Sequence, residues 1–106
     1  MLLAAGCGEE PSLAKPLADG LAARTDTAAA HLEREDFCAA RADASAVLRR
    51  TIAAINDGVV PSDLQEELLG SVNALVERIS CTPPAADDGA ADAARELADW
   101  LRDRSG

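Results

Sequence analysis

From residue 16 onward the apolar residues recur with the 3.6-residue period of an α-helix, and no segment alternates apolar and polar side chains at the two-residue period of a strand. That regularity confines the chain to an all-α fold, in which each helix buries one stripe against its neighbours. Two strong stripes lie next to each other in sequence. Phe37, Ala40, Ala44, Val47, Leu48, Thr51, Ile52 and Ile55 mark a helix over about 36–56. Leu64, Leu68, Leu69, Val72, Leu75, Val76 and Ile79 mark another over about 62–81. Asn56-Asp57-Gly58 ends the first with residues that tolerate left-handed backbone. Ser62-Asp63-Leu64-Gln65 opens the second in capping-box form, and Thr82-Pro83-Pro84 stops it.

Weaker stripes flank this pair. Leu17, Leu21, Ala28 and Leu32 predict a helix over about 16–32, with Pro16 in its first turn and Gly20 as an internal cost of about 1 kcal/mol. Glu33-Arg34-Glu35-Asp36 interrupts it, with Asp36 as the expected N-cap of the next helix. The interruption holds neither Gly nor Pro, so one continuous helix through it stays open. Ala90, Ala93, Ala94, Leu97, Trp100 and Leu101 predict a last helix within 88–104. The expected architecture is an antiparallel hairpin with two flanking helices, a three- or four-helix bundle forming one domain over 16–104.

Composition narrows what such a bundle can do. Nineteen acidic and ten basic residues give a formal net charge of -9, which repels nucleic-acid phosphates. Phe37 and Trp100 are the only aromatic residues, so no stacking platform for bases or sugars exists and the core rests on Leu, Val, Ile and Ala.

Helices of some 20 residues joined by about five pack antiparallel along roughly 30 Å. Residues whose numbers sum to a constant then share a height, and a connector centred near Val59 and Val60 sets Cys38 level with Cys81. A disulfide between them is expected; two buried free thiols are the alternative. The bridge would close a loop of about 44 residues, worth roughly 4 kcal/mol by chain entropy.

No constellation for chemistry survives inspection. His31 and Glu35, at i and i+4, supply two metal ligands where three or four are needed, so no metal or cofactor is expected. A Cys38–His31 nucleophile pair is lost once Cys38 is oxidised. Glu66 and Glu67 point in different directions on a helix. Asp63, Glu66, Glu67, Asp87, Asp88 and Asp92 all complement helix N-termini. The chain carries no phosphate-binding loop, no nucleophile elbow and no calcium loop. An enzyme is not expected.

The N-terminus speaks of address. Leu3-Ala4-Ala5-Gly6-Cys7, followed by the polar run Gly8-Glu9-Glu10-Pro11-Ser12, resembles the lipobox of bacterial lipoproteins. The resemblance implies that Cys7 becomes the acylated first residue of the mature protein. A signal peptide also carries a basic n-region and an apolar stretch of roughly 7 to 15 residues. Only six residues without Lys or Arg precede Cys7, so the resemblance implies a true start upstream. Residues 1–6 are then a signal-peptide remnant and 7–15 a lipidated tether. Nine Arg to one Lys and abundant Ala make the chain similar to small lipoproteins of high-GC Gram-positive bacteria, a resemblance that carries no activity.

The expected function is a non-enzymatic interaction or accessory module of the cell envelope. It would be held to the extracytoplasmic face of the cell membrane by lipid on Cys7, with an envelope protein as partner. Leu97, Trp100 and Leu101 either pack across the hairpin or are displayed for that partner. The alternative is a cytosolic helical adaptor without lipid or disulfide.

Overall fold

The computed structural model describes residues 11–82 and 89–106. Four helices follow one another: α1 (Lys15–Glu33), α2 (Phe37–Asn56), α3 (Ser62–Glu77) and α4 (Ala90–Asp103). No strand forms among the described residues; one isolated bridge joins Leu13 to Ser105. The fold is the expected all-α bundle.

Cross-helix pairs give the topology. Arg50 lies on Gly20 while Asp43 meets Arg24 and His31, so α2 runs antiparallel to α1. Cys38 meets Cys81 and the Arg41 guanidinium donates to the Ile79 carbonyl, which sets α3 antiparallel to α2. Arg95 pairs with Glu33 and Arg102 with Asp26, which sets α4 antiparallel to α1. The result is an up-down-up-down bundle in which α1 packs closely on both α2 and α4, α2 packs on α3, and α3 touches α4 more lightly.

The last helix therefore docks on α1 and not across the hairpin. Alanine explains why. Ala18, Ala22, Ala28 and Ala29 on α1, Ala40 and Ala44 on α2, and Ala90, Ala94 and Ala98 on α4 are all buried, and such small side chains let backbones approach closely. Leu21, Leu68, Leu101, Val47, Val72 and Ile79 fill the larger spaces.

The break between α1 and α2 is real, and its device differs from the expected one. The amide of Glu35 donates to the Leu32 carbonyl (3.0 Å) and that of Asp36 to the His31 carbonyl (2.8 Å). This is a Schellman ending with Glu35 at φ 60° in the left-handed position. Asp36 precedes α2 as predicted, but its side chain makes no capping hydrogen bond. The end of α2 repeats the motif: Gly58 at φ 76° donates to Ile55 (3.0 Å) and Val59 to Ala54 (3.1 Å).

Ser62 does not cap α3 either. It is the first helical residue behind Pro61, and the Gln65 amide donates to the Val60 carbonyl at 3.0 Å. The third helix stops at Glu77, short of the expected 81, yet Ile79 stays buried. Pro16 sits in the first turn of α1 as expected. Leu13, assigned above to the tether, belongs to the core: it is fully buried, and its amide and carbonyl bond to Arg104 and Gly106.

Candidate functional site

The sequence-predicted residues within the described range fall at two places in the bundle. Cys38 is the second residue of α2, and Cys81 lies four residues beyond the end of α3. Their Cα atoms are 4.4 Å apart, within disulfide range, and the two sulfurs are bonded. Both residues are exposed at the end of the bundle opposite the α2–α3 connector.

On α4, Leu97 and Leu101 are buried, so neither is displayed for a partner in this arrangement. Trp100 is partly buried against the core, with the Arg104 guanidinium 5.1 Å from its ring centroid. Its indole N–H is buried without an acceptor among the described residues. Arg95 reaches across to Glu33 (2.8 Å) and towards Asp26 (3.8 Å), while Arg102 binds Asp26. The Arg95 hydrogen bond holds the Glu33 carboxyl below its ordinary pKa, and Glu33 raises that of Arg95. The predicted lipidation residue, Cys7, lies outside the described residues.

One cluster was not anticipated. Asp43 on α2 is 7% exposed, and its two oxygens face α1. Oδ1 accepts from Arg24 at 3.1 Å, and Oδ2 is 2.8 Å from His31 Nδ1. A carboxylate only accepts, so His31 carries its proton on Nδ1 and the imidazole is held in one orientation. An acidic residue between Ala40, Ala44 and Val47 in an apolar stripe was the available signal. A buried carboxylate needs a charged partner, and α1 offers Arg24 and His31 on one face. His31 pairs with Asp43 instead of Glu35.

Chemically, this cluster is a charged clamp between α1 and α2. Among the described residues no other side chain hydrogen-bonds to His31, and no group of three metal-ligating residues converges. Beside the clamp, Gly20, Leu21, Arg24, Ala46, Val47 and Arg50 line a cleft of about 60 Å³, room for a few waters. A Cβ on Gly20 would come within 2.8 Å of the Arg50 guanidinium, the far end of an exposed, flexible side chain that can swing aside.

Among the described residues no helix is long and apolar enough to cross a membrane. Comparison with protein-family models, with curated proteins and with solved structures returns no match.

Proposed function

We propose that this protein is a lipid-anchored, extracytoplasmic interaction or accessory module of the cell envelope, attached through Cys7 and without catalytic activity. The observation that carries the reading is the Cys38–Cys81 bond, which ties the two ends of a 43-residue separation on the exposed surface of a small bundle. Such bonds persist in oxidising compartments and are rare where thiol reductants circulate. The lipobox-like Leu3-Ala4-Ala5-Gly6-Cys7 supplies the anchor that such an address calls for. With a net charge of -9, the bundle suits a basic protein partner and disfavours nucleic acid.

Metabolic labelling with a fatty-acid analogue tests the assignment. Wild-type protein should take up label and fractionate with membranes, whereas Cys7→Ser should do neither. Unlabelled wild type with Cys38 and Cys81 recovered as free thiols would overturn the proposal in favour of a cytosolic adaptor.

A further inference from the structure

Resting on that anchored reading, we infer that the bundle stands end-on at the bilayer, with the α2–α3 connector and the last turns of α2 seated on neutral lipid. Ile52 and Val59, 43% and 54% exposed, are the large apolar side chains that the described bundle leaves open to solvent. Both lie at one end. Ile52 and the partly buried Ile55, three residues apart on one face, sit in the last two turns of α2, and Val59 follows in the connector just past the left-handed turn at Gly58. A shallow groove lined by Ile55, Ser62, Gln65, Glu66 and Leu69 lies beside them, between α2 and α3.

The tether leaves from the same end. Gly20 abuts Arg50, so the start of α1 is level with the end of α2, and Leu13 is fixed there beside Ser105. Leu13 lies six residues along the chain from Cys7, a reach of at most about 22 Å when fully extended. Acyl chains on Cys7 therefore hold this end at the membrane surface and keep the disulfide end roughly a helix length away, about 30 Å. Asp57, Asp63 and Glu66 flank the patch, so the contact is apolar and made with zwitterionic lipid, not through attraction to anionic headgroups.

The test uses the full oxidised chain, whose free thiol at Cys7 is coupled to a maleimide-headgroup lipid in phosphatidylcholine nanodiscs carrying nitroxide headgroups. Paramagnetic broadening of amide signals should be greatest, beyond the tether, at Ile52 and residues 57–61, and should decay towards Cys38 and Cys81. In an Ile52→Ser/Val59→Ser variant, broadening at Ile52 and residues 57–61 should fall below that of the wild type, to the shallower gradient that the tether alone imposes, while the dispersed spectrum is retained; a gradient equal to that of the wild type would show that the patch is not seated on lipid. Uniformly weak broadening over all four helices, or a maximum elsewhere, would overturn the inference. So would concentration-dependent shifts at Ile52 and Val59 in lipid-free solution, which would mean that a second copy covers the patch. Chemical coupling supplies the anchor, so this outcome is independent of whether cells acylate Cys7, which the labelling experiment decides.

Discussion

Glu35 shows how a single residue can carry a fold decision against its own preference. At φ 60° its Cβ crowds the following carbonyl, a conformation that glycine adopts freely. Glu35→Gly should therefore stabilise the protein by about 0.5–1 kcal/mol, read as a higher midpoint in urea with an unchanged slope. Thr51 makes the opposite case: it is fully buried and its hydroxyl has no hydrogen-bond partner among the described residues. Valine has the same shape without the desolvated oxygen, so Thr51→Val should add about 1 kcal/mol by the same measurement. Neither position announces itself in sequence. Thr51 falls on the apolar stripe and reads as any helix residue, and Glu35 reads as part of a solvated run. Asp43 was more legible, because a carboxylate within an apolar stripe must find a partner; which partner depended on how α1 lay across α2.

Among the elements, α4 is held almost wholly by α1. Its buried face is Ala90, Ala94, Leu97, Ala98 and Leu101, and its exposed edge is tied to α1 through Arg95 and Arg102. Arg95→Gln should lower the thermal midpoint at neutral pH, with the difference shrinking in high salt because the pair is exposed. The pH dependence has a definite sign. Glu33 has a lowered pKa in the folded state, so its contribution is complete above the ordinary glutamate value of about 4.3. It is lost as pH falls through the lowered value. Wild-type and Arg95→Gln melting curves should therefore converge in acid, and a gap that persists there would refute the role of the pair. The helix itself was readable from periodicity, but its berth was not. An alanine-rich stripe fits either flank of a bundle, and the choice of α1 over the hairpin reflects the matching alanine face on α1 and the charged edge beside it.

For the molecule as a whole, the disulfide is predicted to carry a large share of the stability. A bond closing a loop of about 44 residues restricts the unfolded chain by roughly 4 kcal/mol, a large share of the 5–15 kcal/mol typical of a domain. Reduction should lower the urea midpoint markedly while leaving the helical far-UV spectrum intact below the transition. An unchanged midpoint would show that the core alone sets the stability. The sequence by itself determined the helical stripes, the hairpin register and the pairing of Cys38 with Cys81, because periodicity and connector length are local and antiparallel rods leave one register. Tertiary structure alone decided the seating of α4 on α1, the burial of Leu13 beside the C-terminus, the Arg24–Asp43–His31 clamp and the left-handed turn at Glu35. Each of those depends on which faces meet in three dimensions, and small apolar stripes with mixed charges at their edges satisfy several meetings until packing and charge pairing select one.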